Sequence, residues 1–353
     1  MKIEKLDPNF AKKEAGDDLL WYDIKELGVE GRGWTDVESF YDRLPAKAKS
    51  LVREGVWQLS QHSAGMAVRF VSDSPRIAAT WTLRGISPLA MAHMPATGVS
   101  GLDLYTESKG AWRWVGGGQP QVSPTNKLTL ANIPKATRQF ILYLPLYNSV
   151  ESVSIGIATD ATIAKARPYP RAAAKPIVFY GTSITQGGCA SRPGLAYPAI
   201  IGRRLRRPII NLGFSGNGPM EAEIARLMTE VAASVYVIDC LPNMTAEQVP
   251  ERTEPLVKIL RNARPKTPIV LVENPIWQNT LPETKAPDHI RKNQYLREAF
   301  ARLKKAGVKG LHYVPGDKLF GRDWEATVDG VHPNDIGFMR IADVLTPVIR
   351  RIL

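Results

Sequence analysis

Apolar residues in the first half of the chain come in short runs, several of which alternate with polar residues. Gly, Pro, Asn and Ser turns separate these runs, and helical periodicity is almost absent. This pattern is typical of strands in an antiparallel sandwich. We therefore expect a β-sandwich of jelly-roll type over residues 18–165, after a loose charged segment at residues 1–17. The predicted strands are Val56–Leu59, Met66–Phe70, Ile77–Leu83, Leu102–Tyr105, Ala111–Val115, Gln139–Leu144 and Ser152–Ile155.

The pattern changes after residues 166–176, a linker rich in Ala and Pro. From residue 177 to 353, short apolar runs alternate with stretches of helical periodicity, which predicts a parallel sheet with helices on both faces, a three-layer αβα domain. The predicted strands are Ile177–Tyr180, Pro208–Leu212, Val235–Cys240, Pro268–Glu273 and Leu311–Val314. The predicted helices cover residues 195–207, 220–232, 247–264, 287–306 and 335–350.

The first of these parallel strands ends in a segment suited to presenting a nucleophile. Ser183 follows the strand closely, and Gly181, Gly187 and Gly188 permit a tight turn around it. A serine hydroxyl needs a base, an acid that orients the base, and donors for the developing oxyanion. Taken alone, Ser183 could equally be an ordinary turn residue.

One histidine is placed to serve as that base. Of His62, His93, His289, His312 and His332, only the last combines a tight turn, an aspartate three residues earlier and a position near the C-terminus. Asp329 can therefore reach and orient the imidazole of His332. The alternative is a histidine that only marks the entry to the last helix.

Three residues of interest each follow a predicted strand. Ser183, Gly216 and Asn243 come after the first, second and third strands of the parallel sheet. Ligand sites in such sheets lie beyond the carboxyl ends of the strands, so these residues should converge on one edge. Asn243 could also be a turn residue beside Pro242.

Four segments resemble, in order, the sequence blocks of the SGNH (GDSL-type) hydrolase superfamily. They are Gly181-Thr-Ser-Ile184, Asn211-Leu-Gly-Phe-Ser-Gly-Asn217, Leu241-Pro-Asn-Met244 and Asp329-Gly-Val-His332. The resemblance implies that Ser183 is the nucleophile, that His332 is the base and that Asp329 orients it. It also implies three oxyanion donors, the Ser183 N–H, the Gly216 N–H and the Asn243 amide.

The chain departs from the superfamily pattern at residues without an assigned chemical role. Thr182 stands where the motif has Asp, and Leu241 and Met244 replace the usual Gly and Asp. Upstream, residues 97–105 resemble the Gly-x-Asp-Leu-Tyr signature of an N-terminal β-domain found in one subgroup, and residues 187–194 also resemble that subgroup.

Composition limits the partners. The chain has 46 basic and 34 acidic residues, a net charge of +12, but its basic clusters lack the interleaved aromatic residues that stack on bases. We expect no nucleic-acid partner. No window approaches a membrane span, and the first residues lack the apolar core of a signal peptide. The sequence as written predicts a cytoplasmic protein, or an exported one if a leader precedes it. It carries no signal for an oligomeric state.

The resemblance implies a serine esterase that acts on short acyl esters without a cofactor. O-acetyl groups on a carbohydrate are the first expectation, because a β-domain beside this hydrolase domain resembles the layout of two-domain carbohydrate esterases. The alternatives are a lipid or thioester acylhydrolase and a glycan-binding protein with an inert hydrolase domain. No His, Cys, Asp or Glu cluster has the spacing of metal ligands, so no metal is expected. Trp81, Trp112 and Trp114 are expected in the core rather than on a sugar-stacking surface.

Four further residues are candidates for substrate binding, because they lie in polar and aromatic loops or in the subgroup signature. They are His93, Asp103, Tyr105 and Arg192, although Asp103 and Tyr105 could equally hold the sandwich together. We expect the loop that carries His93 to lie against the mouth of the Ser183 site. Cys189 and Cys240 both belong near this edge of the sheet, and the sequence allows either a bridge between them or two free thiols.

Overall fold

The first half of the chain forms two antiparallel sheets. In the computed structural model, residues 18–85, 87–281 and 288–353 are described, so the expected loose segment 1–17 lies outside the described residues. The strands of this half are β1 (Leu19–Asp23), β2 (Val29–Glu30), β3 (Ala67–Ser72), β4 (Arg76–Leu83), β5 (Leu102–Ser108), β6 (Ala111–Gly118), β7 (Thr125–Asn132), β8 (Arg138–Tyr143), β9 (Val150–Ala158) and β10 (Ile163–Lys165).

The two sheets pack face to face as a sandwich. One sheet has the order β1-β9-β4-β7, and the other has the order β10-β3-β8-β5-β6, with β2 beside β3. Buried side chains of both sheets, among them Trp81 from β4 and Phe70 and Phe140 from β3 and β8, form one hydrophobic core between them. Most successive strands cross from one sheet to the other, but β2 and β3 share a sheet, as do β5 and β6, so the jelly-roll topology stays a prediction.

Three short helices interrupt this half: α1 (Ile24–Leu27), α2 (Glu54–Ser60) and α3 (Ala96–Val99). The strand predicted at Val56–Leu59 is wrong, because these residues belong to α2. Val56, Trp57 and Ser60 are buried, which is a helical spacing, and the first two pack into the core of the other half of the chain. Four residues are too few to separate the two periodicities.

The second half contains a five-stranded parallel sheet. Its strands are β11 (Ile177–Gly181), β12 (Ile209–Gly213), β13 (Val235–Asp239), β14 (Ile269–Val272) and β15 (Leu311–Val314). The strand order is β12-β11-β13-β14-β15. The chain therefore leaves β11 at the point where the strand order reverses, and ligands of open α/β sheets bind at such a point.

Helices cover both faces of this sheet. They are α4 (Ser183–Gln186), α5 (Tyr197–Leu205), α6 (Ala222–Met228), α7 (Gln248–Ala263), α8 (Asp288–Lys305) and α9 (Asp335–Ile352). Side chains of α6, α7 and α8 share a core with one face of the sheet, whereas α5 and α9 pack on the opposite face. The sheet lies between two layers of helices, which confirms the predicted αβα domain.

Candidate active site

The turn after β11 holds Ser183 in one defined position. Every residue of β11 is buried, and the Thr182 Oγ1 accepts a hydrogen bond from the Ile184 N–H (3.2 Å), which caps the single turn of α4. A Cβ on Gly181 would lie 2.0 Å from the Thr185 Oγ1 and 2.5 Å from the Asp239 carbonyl, so only glycine fits there. Ser183 therefore stands at the first position of a helix, at the carboxyl edge of the sheet.

Ser183, His332 and Asp329 form a hydrogen-bonded line. The Ser183 Oγ lies 2.9 Å from the His332 Nε2, and the His332 Nδ1 lies 2.7 Å from the Asp329 Oδ2. The second carboxylate oxygen of Asp329 accepts from the backbone N–H groups of Val331 (3.0 Å) and His332 (2.7 Å). With the Nδ1 proton shared with Asp329, the His332 Nε2 can accept the serine proton.

Asp329 is held ionised. Burial alone would raise its pKa, but hydrogen bonds from the His332 backbone and ring and from the Val331 N–H outweigh it and lower the pKa to about 2. Near neutral pH the carboxylate is therefore a fixed negative charge beside the imidazole. Such a charge stabilises the imidazolium that forms when the histidine takes a proton.

Two loops beside Ser183 carry the proposed oxyanion donors. Among the described residues, neither the Ser183 N–H nor the Gly216 N–H has a hydrogen-bond partner. The Gly218 N–H donates to the Asn243 Oδ1 (3.2 Å), which leaves the Asn243 Nδ2 to donate. A Cβ on Gly218 would lie 2.0 Å from the Gly181 carbonyl, so the loop that anchors Asn243 packs directly against the nucleophile turn.

An arginine from the first half of the chain, Arg43, supports the loop after β12. Its buried guanidinium donates to the carbonyls of Asn211 (3.0 Å), Gly213 (2.7 Å), Leu59 (2.6 Å) and His62 (2.9 Å). Burial lowers the pKa of Arg43 to about 9, so the group stays charged at neutral pH. The sequence analysis missed this residue, because a lone arginine carries no periodic or motif signal.

Gln186, also missed, ties the same loop to the nucleophile helix. Its Oε1 accepts from the Ser215 N–H (3.0 Å), while its Nε2 donates to the Leu146 carbonyl (3.0 Å) and lies 3.1 Å from the His62 Nδ1. Gln186 is fully buried. Its place in the run Ser183-Ile-Thr-Gln186 was the one available signal.

His93 lies beside His332. Its exposed ring is 5.7 Å from the ring of His332, centroid to centroid. The loop that carries it therefore borders the Ser183 site, and a role in substrate binding stays a prediction. Cys189 lies next to both rings, and burial together with the charge of Asp329 raises the pKa of its thiol to about 12.

The other three candidates for substrate binding have a different setting. Asp103 is completely buried and accepts from Arg192 (3.0 Å), the Gly194 N–H (2.8 Å) and the Trp114 indole (2.7 Å). Arg192 also donates to the Tyr105 hydroxyl (2.5 Å). These contacts tie the sandwich to the loop after α4 and use the polar atoms that a substrate would need. These contacts favour the alternative in which Asp103 and Tyr105 hold the fold together, and binding of substrate by Asp103, Tyr105 and Arg192 stays a prediction.

Comparison with known proteins agrees with these observations. Residues 174–350, about half of the chain, match the GDSL-like Lipase/Acylhydrolase family. The chain belongs to this family. Residues 19–163 match the GxDLY family, which is the N-terminus of SGNH-hydrolase-type esterases. None of the curated proteins matches the chain.

Solved structures of similar proteins extend over both halves. A GDSL-like lipase from Bacteroides ovatus is 35% identical, with a TM-score of 0.87, and the match covers 95% of this chain and 98% of the other. The salicylyl-acyltransferase SsfX3 of a tetracycline biosynthetic pathway is 19% identical (TM-score 0.74, 97% of each chain). A family two carbohydrate esterase from Clostridium thermocellum, in complex with cellohexaose, is 15% identical (TM-score 0.59, 82% and 92%). At these lower identities the likeness concerns the fold.

The cysteines and the helices of this GDSL-like esterase answer two further questions raised by its sequence. Cys189 and Cys240 are both buried and free, so the bridge that the sequence allowed is not formed. No helix within residues 18–85, 87–281 and 288–353 has the length and apolar character needed to cross a bilayer.

Proposed function

We propose that this GDSL-like family member is a serine esterase that hydrolyses short acyl esters, with O-acetyl groups on a carbohydrate as its substrate class. The observation that carries the proposal is the line of contacts from the Ser183 Oγ to the His332 Nε2 (2.9 Å) and from the His332 Nδ1 to the Asp329 Oδ2 (2.7 Å). A nucleophile within reach of a base, itself oriented by an acid, is the arrangement that acyl transfer requires.

In this mechanism the Ser183 Oγ attacks the acyl carbonyl carbon while the His332 Nε2 takes the hydroxyl proton. The tetrahedral intermediate collapses to an acyl-enzyme when the C–O bond to the sugar breaks and His332 protonates the leaving oxygen. Water, deprotonated by His332, then attacks the acyl-enzyme, and a second collapse releases the carboxylic acid and restores Ser183.

Negative charge on the former carbonyl oxygen is stabilised by the N–H groups of Ser183 and Gly216 and by the Asn243 Nδ2. Their supports are rigid, because Arg43 and Gln186 fix the loop after β12 and the Gly218 N–H fixes the Asn243 amide. Donors that need no rearrangement are the most effective stabilisers of a developing oxyanion.

The surroundings of Ser183 favour a short acyl group. Ser183 exposes only 6% of its surface, since His332 and the loop containing Gly188 flank it. A Cβ on Gly188 would lie 3.5 Å from the Ser183 Cβ, so even this glycine is close to the nucleophile. The acyl carbonyl must approach through a narrow opening, which suits an acetyl group better than a long chain.

An exposed tryptophan supports a carbohydrate as the alcohol part. Trp324 is 48% exposed, has the unusual positive φ of 65°, and borders an open hollow of about 350 Å³ with Ile276, Gln278 and Arg322. The hollow adjoins the loop of Asp329, because Gln278 accepts from the Ala326 N–H (2.9 Å) and donates its own N–H to the Gly330 carbonyl (2.7 Å). Indole faces of this kind stack on sugar rings, and a strained backbone at a bulky residue is common at ligand sites.

The test is an acyl-length series of 4-nitrophenyl esters together with acetate release from acetylated xylan, mannan and pectin. We expect the fastest turnover for acetate and release from at least one polymer, both lost in Ser183→Ala. Trp324→Ala should raise KM for that polymer and leave 4-nitrophenyl acetate unaffected. The matched control is Val122→Ala, a residue of the sandwich that is 56% exposed. A preference for long acyl chains, or no release from any acetylated glycan, would refute the assignment.

A further inference from the structure

Three potential metal ligands meet at the mouth of the site, although they are distant in sequence. The ligand atoms of His93, Cys189 and His332 all lie within 4.8 Å of one another. Tetrahedral Zn²⁺ with bonds of about 2.0–2.1 Å to nitrogen and about 2.3 Å to sulfur needs these atoms roughly 3.5 Å apart. The atoms must therefore move closer to bind the ion, and His93 is exposed, so its side chain can rotate toward the other two.

The hydrogen bonding of His332 already suits a metal. Its Nδ1 is engaged by the Asp329 Oδ2 at 2.7 Å, which leaves the Nε2, 2.9 Å from the Ser183 Oγ, as the nitrogen that can offer a lone pair to a metal. Histidines that bind metals nearly always use the second ring nitrogen on a carboxylate, a carbonyl or water, which fixes the ring and strengthens the ligand. Asp329 provides that support here without any rearrangement.

The backbone of Cys189 gives a second, independent indication. Its φ of 74° lies in the left-handed region, which is unfavourable for a residue with a side chain and is easily adopted by glycine. The preceding residue is a glycine, yet this position carries a thiol, 5% exposed and next to two imidazoles. Thiolate and imidazole are the ligands that Zn²⁺ prefers in proteins.

The geometry points to a Zn²⁺ site formed by His93, the Cys189 Sγ and the His332 Nε2, which switches the esterase off when it is filled. Binding breaks the S–H bond of Cys189, releases that proton to water, and forms one Zn–S and two Zn–N bonds without any change of oxidation state. The Nε2 lone pair that would take the Ser183 proton is then held by the metal. The inhibition rests on the proposed function, whereas the binding does not.

Co²⁺ is the probe for the binding, because a thiolate ligand gives Co²⁺ an intense charge-transfer absorption in the near ultraviolet. Titration of metal-free wild-type protein with CoCl₂ should produce this band, and ZnCl₂ should remove it by competition. Cys189→Ala should lose the band, and His93→Asn should weaken binding by at least roughly 10-fold to 100-fold. Cys240→Ala, which removes the other buried thiol, should behave like the wild type.

Inhibition is measured with ZnCl₂ on 4-nitrophenyl acetate turnover, each protein being compared with its own metal-free rate. Wild type and Cys240→Ala should be inhibited reversibly, with recovery in EDTA, whereas Cys189→Ala should need at least roughly 10-fold more zinc. Equal inhibition of wild type and Cys189→Ala, or a wild-type protein without the charge-transfer band, would overturn the site.

Ser183→Ala separates this proposal from the proposed function. The variant should give the same Co²⁺ spectrum as the wild type although it has no esterase activity. If wild-type protein shows the cobalt–thiolate band but hydrolyses no ester, the proposed function fails and the metal site stands. If the wild type is an active esterase without that band, the metal site fails and the proposed function stands.

Discussion

Replacing Arg43 by methionine should destabilise the protein and slow catalysis together. Methionine keeps much of the buried volume but leaves four backbone carbonyls without the donor that reaches them at 2.6–3.0 Å. Each buried carbonyl left unpaired costs on the order of 1 kcal/mol, and relief from burying a charge offsets part of the sum. We expect the free energy of unfolding to fall by about 2–4 kcal/mol.

The effect on catalysis follows from the position of two of those carbonyls in β12. Asn211 is the middle residue of β12 and Gly213 its last, directly before the loop that carries Gly216. A loosened strand end displaces the proposed oxyanion donor Gly216, so kcat should fall by roughly 10-fold, which corresponds to about 1.4 kcal/mol, while KM changes little. Steady-state kinetics on 4-nitrophenyl acetate, measured well below the unfolding transition, give both values.

The matched control is Arg53→Met. Arg53 also comes from the first half of the chain and contacts the same loop, through the Asn217 Oδ1 (2.7 Å) and Glu221, but its side chain is 50% exposed. An exposed pair of this kind contributes under about 1 kcal/mol. If urea unfolding shows Arg43→Met to be no less stable than Arg53→Met, or if its kcat equals that of the wild type, Arg43 does not support the loop.

Three further predictions concern single groups. Asn243→Ala should lower kcat by roughly 10²–10³-fold, the usual effect of losing one oxyanion donor, and a change confined to KM would remove Asn243 from that role. His93→Ala should raise KM for the acetylated glycan and spare 4-nitrophenyl acetate, so an equal response of both substrates would argue against a shared cleft. Burial raises the pKa of Asp239 to about 6 against opposing hydrogen bonds from Tyr197 and Thr185. Asp239 therefore binds a proton more tightly in the folded protein than in the unfolded chain. On the order of 3 kcal/mol of stability is lost as the pH rises from about 4 to about 6 and the folded protein gives up that proton. The free energy of unfolding, measured with urea across this pH range, should fall with rising pH in the wild type but not in Asp239→Asn. The same pH dependence in both proteins would contradict the prediction.

The parallel sheet could be predicted closely because its strands are buried on both faces. β11, β12 and β13 are buried at every position and are apolar except for Asn211, Asp239 and the glycines that end β11 and β12, so each is recognisable as a short buried strand. Once those strands are placed, the parallel topology brings their ends to one edge without further information.

Contacts between distant segments could not be predicted in the same way. Asp103 and Arg192 were candidates for substrate binding, yet they pair across 89 positions of sequence with the carboxylate fully buried. The three metal ligands proposed above come from three separate loops, so a search for ligand spacing along the chain does not find them. β7 was missed because its exposed face carries Thr125, Lys127 and Thr129, which resemble a polar loop.

The tryptophans show both the strength and the limit of composition as a guide. Trp81 is fully buried in the sandwich core and donates its indole N–H to the Ser100 carbonyl (2.9 Å), as expected of a core residue. Trp114 was expected in the core as well, but it is half exposed. Its indole N–H donates a hydrogen bond to the buried Asp103 carboxylate. The tryptophan beside the proposed substrate hollow, Trp324, was not singled out at all.

The central claim is that Ser183 is the nucleophile, and covalent labelling tests it most directly. The protein is incubated with a fluorophosphonate, which reacts only with an activated serine, and the labelled peptide is located by mass spectrometry. We predict one adduct, on the Ser183 Oγ, formed far more slowly in His332→Ala and absent in Ser183→Ala. An adduct on another residue, or an unmodified Ser183 in folded wild-type protein, would contradict this account.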